Sequence, residues 1–133
     1  MQTQFLNPST LNPTFGWTHV VAVTGGKSIY VSGQASVNER GEVVGKGDLR
    51  AQTVQTFENI KQALAAAGAT LRDVLKSNLY VVGLKPEDVA TIREVRSRYF
   101  SMTHPPASTL VGVPALAGAD WLIEVEVVAV IPE

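Results

Sequence analysis

The sequence predicts an α+β two-layer sandwich, a mixed β-sheet carrying two helices on one face. Three observations lead there. Val54, Phe57, Ile60, Leu64 and Ala67 recur at intervals of three and four, the period of a helix buried along one stripe. Ile123, Val125, Val127, Ala129 and Ile131 alternate with Leu122, Glu124, Glu126, Val128 and Val130, as in a strand whose faces differ. The elements follow the order β-β-(β)-α-β-α-β-β, and long helical crossovers between strands place both helices on one side.

The opening stretch, MQTQFLNPSTLNPTF, is polar and holds two Asn-Pro pairs, so it reads as an extended or turn-forming lead-in. Thr18–Val23 is a strand, Thr24-Gly25-Gly26-Lys27 a turn, and Ser28–Ser32 the strand returning from it as a hairpin. A short third strand follows at Gln34–Val37, then a polar turn at Asn38–Gly41. Asp48 is a good N-cap for the first helix, and Gly68 stands where a left-handed C-cap belongs. Asp73–Val82 alternates and is β-branched, as a strand is. Leu84–Asp88 puts proline and acids into the first turn of a second helix, expected to reach about Phe100 with Val89, Ile92, Val95 and Tyr99 inward. His104-Pro105-Pro106 ends that region. Two strands, Ser108–Val113 and Leu122–Ile131, complete the chain.

With 133 residues the chain is one domain, 1–133, without repeat or linker. At 45% hydrophobic and 17% charged it folds as a globule, and so small a charged share favours a homo-oligomer that buries part of its surface. A net charge of −1 argues against a nucleic-acid surface, which needs clustered Lys and Arg. The absence of cysteine excludes disulfides, thiolate zinc sites and thiol nucleophiles. No signal peptide or membrane-length apolar run is seen, so a cytoplasmic protein with no membrane association is expected. No metal-ligand cluster or cofactor motif is present, and Gly25-Gly26-Lys27 is too short for a phosphate loop.

Several residues invite a chemical reading. Glu124 and Glu126 share a strand face roughly 6–7 Å apart in an apolar ladder, where carboxylates must be exposed, paired or functional. The face that carries them has no helix left to cover it, which again points to another copy of the chain. At Ser32-Gly33-Gln34 the glycine admits close backbone approach to a ligand, or marks a bulge. Trp17 walls a pocket or anchors the N-terminal segment on the core. His19 and His104 have no nucleophile at recognisable spacing. Arg93, Arg96 and Arg98 on the second helix read as a solvated face.

Together, Gly16-Trp17-Thr18-His19, Tyr30–Gln34, Gln52 through Asn59 to Ala67-Gly68, Asp73–Lys76, Tyr99-Phe100, Pro106–Val111 and Ile123–Val130 resemble the Rid family of reactive-intermediate imine deaminases, once called perchloric-acid-soluble ribonucleases. They run in family order across nearly the whole chain. The resemblance implies a chorismate-mutase-like fold and a homotrimer whose sheets form a central barrel, with a small-molecule ligand in clefts at the subunit interfaces. It implies hydrolysis of 2-imino or enamine acids to 2-oxo acids and ammonia, without a cofactor. By position, Glu124 orients water, the backbone at Ser32-Gly33 binds substrate, Trp17 is the aromatic residue of the cleft, and the Leu110 carbonyl assists.

One position departs from the pattern. Where the family has Pro-Ala-Arg-Ser, this chain has Pro-Ala-Ser-Thr, so Ser108 occupies the place of the arginine that clamps the substrate carboxylate. A hydroxyl supplies no charged fork, and the missing contact is worth about 1.5–3 kcal/mol. The resemblance therefore points to a branch without that arginine, in which 2-imino acid activity is not carried over intact. His104 or a helix arginine from a neighbouring subunit is a candidate substitute. The expected function is hydrolysis of a small reactive imine, enamine or related carbonyl metabolite. The alternative is a non-catalytic trimer that binds a metabolite or protein partner in the same clefts. Ribonuclease action is disfavoured by the slightly acidic chain and the lack of a histidine pair.

Overall fold

The structure, a computed structural model, describes residues 1–133. Strands β1 (Gln2–Leu6) and β2 (Val20–Thr24) form a separate antiparallel ribbon. Strands β3 (Lys27–Ala35), β4 (Val74–Val82), β5 (Ala107–Val113) and β6 (Ile123–Ile131) form the main sheet in the order β3-β6-β4-β5. Only β4 and β5 run parallel, so the sheet is mixed as expected. Helix α1 (Leu49–Ala66) packs on β3 and β6, and α2 (Pro86–Ser97) packs beside α1.

Helix α1 forms where its apolar stripe requires. Asp48 caps it by accepting from the Ala51 N–H at 3.0 Å, and Gly68 follows it with φ +78°. Phe57, Ile60 and Leu64 are fully buried against Val125, Val127 and Ala129 in one core. The Gln52 side chain is buried with them but satisfied. It donates to the carbonyls of Gly45 and Asp120 and accepts from the Leu122 N–H, holding the start of β6 onto α1.

Four expectations are corrected. The lead-in contains a paired strand, β1, rather than unpaired extended chain. The hairpin across Gly25-Gly26 does not form: β2 pairs along its length with β1, while β3 pairs with β6. Gly26 has φ +87° and is wedged where a Cβ would meet Val130 and the Ile131 carbonyl, so the turn delivers β3 to β6 instead. Gln34–Val37 is not a third strand, because β3 continues to Ala35 through an irregularity between Val31 and Gln34. Helix α2 ends at Ser97, short of Phe100. The N–H groups of Arg98 and Tyr99 tighten onto the carbonyls of Val95 and Arg96, which brings Tyr99 and Phe100 against the Phe57 ring.

Candidate functional site

Strand alternation divides the expected site residues into two groups. On β6, Val125 pairs with Leu79 and Val127 with Ser77, and all four are buried beneath the helices. Glu124 and Glu126 pair with Tyr80 and Asn78 on the opposite, uncovered face. Ser108 pairs with Ser77, whose hydroxyl donates to the Ser108 hydroxyl at 3.1 Å, so Ser108 belongs to the helix side. Leu110, packed against the core, lies on that side too. Glu124 and Ser108 thus stand on opposite faces of one sheet.

The first group is built by a long-range return of the chain. Thr18 donates its N–H to the Pro106 carbonyl at 3.1 Å and its hydroxyl to the Pro105 carbonyl at 2.6 Å, and bridges Ala107. That clasp sets Trp17 beside the start of β5. Trp17, Ser108 and Leu110 then line a cavity of about 220 Å³, together with Val89, Arg93 and Arg96 of α2. The Trp17 ring also meets the His19 ring edge-on, 4.7 Å between centroids.

Arg96 is the residue that the sequence reading placed wrongly. It is 5% exposed, not on a solvated face. No carboxylate lies within ion-pair distance of it, and no hydrogen bond from its guanidinium is made within the chain. Gly16, with φ +76°, passes so close that an added Cβ would stand 3.3 Å from a guanidinium nitrogen. Burial, then the neighbouring charge of Arg93, pushes the Arg96 guanidinium below its usual range. The other two helix arginines are occupied. Arg98 bonds Glu94 at 2.9 Å, and Arg93 lies 5.5 Å over the Phe15 ring. A signal for Arg96 was present in the sequence: Val89, Ile92, Arg96 and Tyr99 follow the inward helical spacing.

The second group sits at the β3 irregularity. Ser32 and Gly33 fall between the paired residues Val31 and Gln34, so the bulge reading of this turn is correct. Glu124 fills the space beside it, and a Cβ added at Gly33 would collide with the Glu124 carboxylate. Ser32 lines a shallow hollow with Tyr30, Lys76 and Glu126 on the uncovered face. The neighbouring Tyr30 is 79% exposed.

Glu126 is tied down. It accepts from the Tyr80 hydroxyl at 2.6 Å and from the Asn78 amide at 3.1 Å. These bonds, the tyrosine's first, hold its carboxyl below the usual range, and the same bond raises the Tyr80 phenol. A carboxyl depressed by folding adds stability above its unfolded pKa, and that stability is lost as pH falls through the folded value. Glu126→Gln is therefore expected to flatten part of the acid limb of the unfolding profile, measured by melting temperature from pH 7 to pH 3. An unchanged acid limb would remove this role.

Other candidates stand apart. His104 packs on Phe5 at 4.9 Å and borders a wider hollow of about 750 Å³ beneath β1, so within one chain it does not reach the Ser108 cavity. His19 is held by the Asn12 carbonyl at 2.7 Å. No three His, Asp or Glu side chains stand together as metal ligands, and no helix is long and apolar enough to cross a membrane.

Comparison with known proteins gives one consistent result. The family profile described as Endoribonuclease L-PSP matches residues 8–131. A RutC family protein of Pyrococcus abyssi is 43% identical over 109 residues, covering 81% of this chain and 82% of that one. A 2-iminobutanoate/2-iminopropanoate deaminase of Dermatophagoides farinae is 34% identical over 110 residues, 83% of each chain. The crystal structure of YyfB from Yersinia pestis, a Rid family protein of unknown function, superposes with a TM-score of 0.92 at 38% identity. It covers 98% of this chain and 100% of that one.

Proposed function

The chain belongs to the Rid family, whose profile carries the Endoribonuclease L-PSP description, and we propose that it hydrolyses a small reactive imine or enamine in clefts between copies of itself. The observation that carries this reading is the seat of Glu124: a carboxylate lodged against the Ser32-Gly33 bulge on a sheet face that no helix covers. One relative, the deaminase named above, supports the chemistry.

In the proposed reaction, Glu124 orients a water and takes its proton as the oxygen adds to the imine carbon. The nitrogen gains a proton, and the tetrahedral adduct collapses to a carbonyl compound and ammonia. Backbone groups at Ser32-Gly33 hold the substrate's polar end. An enamine enters the same path after tautomerising to the imine. Glu124 and the Trp17–Ser108–Leu110 cavity lie on opposite sheet faces, so one working site takes each half from a different copy. A homotrimer with the uncovered faces turned inward brings such halves together and buries Tyr30 and its neighbours.

Ammonia release from freshly generated imines, with and without a carboxylate, tests the reaction against Glu124→Ala. Faster release by the native chain is expected. Native and variant proteins both at the uncatalysed rate would overturn it, and ligand-dependent stabilisation without turnover would then favour the binding trimer.

A further inference from the structure

We propose that Arg96 is the anion anchor of the Trp17–Ser108 cavity and that its ligand is a small molecule bearing a single carboxylate. The inference deepens the reading above, since it names the charge that the substrate of the same cleft carries. It rests on geometry in this chain alone. Arg96 is 95% removed from solvent by its 5% exposure, yet meets no carboxylate. Burying an unpaired charge is costly, and buried cations are as a rule paired or hydrogen-bonded. This one lines a cavity instead, with the backbone at Gly16 drawn close against its guanidinium.

The cavity decides the ligand class. Its volume of about 220 Å³ in one chain is roughly seven water volumes, enough for the carboxylate end of a metabolite of a few carbons. Val89, Leu110 and Trp17 supply an apolar wall, and Ser108 adds one hydroxyl. Arg93 at the edge already faces the Phe15 ring, so one guanidinium is free, and a planar fork matches one carboxylate bidentately. The absence of arginine at position 108 and the burial of Arg96 beside it are then two sides of one arrangement. The fork comes from α2 rather than from β5.

The test is calorimetric titration of the native chain with 2-oxobutanoate, its uncharged methyl ester and inorganic phosphate, repeated with Arg96→Gln, Arg96→Lys and Arg98→Gln. The acid is expected to bind at least about tenfold more tightly than the ester, the range of a charge-assisted contact. Arg96→Gln removes that preference, Arg96→Lys keeps part of it, and Arg98→Gln leaves it unchanged. Without ligand, Arg96→Gln should melt close to the native chain, because the guanidinium makes no ion pair or hydrogen bond within the chain that the substitution would break. A structural arginine would behave in the opposite way. Equal binding of acid and ester by the native chain overturns the inference even if a variant fails to fold. So does undiminished acid preference in Arg96→Gln, or phosphate binding more tightly than the acid. Arg96-dependent acid binding without ammonia release from any imine would contradict the hydrolytic reading while leaving the anchor in place.

Discussion

Glu124→Gln is expected to lower imine hydrolysis by about 10²–10⁴-fold while leaving the melting temperature nearly unchanged. The amide keeps the size of the carboxylate and its place against Gly33, but it cannot take a proton from water. The Glu124 carboxylate accepts no side-chain hydrogen bond within its own chain, in contrast to that of Glu126, which accepts from Tyr80 and Asn78. The two glutamates thus divide the roles available on their face, one structural and one chemically free. Initial rates of ammonia release on purified native and variant protein measure the effect. A variant that retains most of the native rate would remove Glu124 from the reaction.

Gly33→Ala should be nearly as damaging, for a steric reason. The methyl group would occupy the position of the Glu124 carboxylate, so either the bulge or the glutamate must move. A displacement of about 1 Å at a reacting group commonly lowers the rate by about 10²-fold. The conflict also lowers stability, and removing the carboxylate should relieve it. In a double-mutant cycle, Gly33→Ala is expected to destabilise the native chain more than it destabilises Glu124→Ala. Equal destabilisation in both backgrounds would show that the two residues do not touch.

The fold was legible where local patterns and tertiary packing demand the same residues. Helix α1 buries Phe57, Ile60 and Leu64 along one stripe with Asp48 and Gly68 at its ends, and β6 alternates from Ile123 to Ala129. Pairing partners were less legible. Strand–Gly25-Gly26–strand reads as a hairpin, yet β3 takes β6 as its neighbour, because an apolar strand more than ninety residues away completes the core. Strand β1 carries only Phe5 and Leu6 as large apolar residues, and its existence depends on β2.

The site shows the same division. Family order marks Trp17, Ser32, Gly33, Ser108, Leu110 and Glu124, and alternation along β6 puts Glu124 on the uncovered face, but neither shows that Trp17, Ser108 and Leu110 gather on the other. The structure separates Trp17, Ser108 and Leu110 from Ser32, Gly33 and Glu124. Arg96 follows the inward spacing of α2 but reads as solvated because a helix arginine ordinarily keeps its charge in water. Its burial depends on the Gly16–Thr18 segment returning to Pro105 and Pro106, a contact across almost ninety residues that no local window contains.

The central claim is that one working site draws its halves from two copies. Mixing two disabled chains tests it most directly: Glu124→Ala, which lacks the water-orienting group, and Ser108→Tyr, which fills the cavity beside Trp17. Each alone should release no ammonia above the uncatalysed rate. Unfolded together at equal amounts and refolded, they should regain about a quarter of the native activity, the fraction of interfaces in a random ring that join two intact halves. Activity that stays at the uncatalysed rate in the refolded mixture, with mixed oligomers demonstrably present, would contradict the shared site.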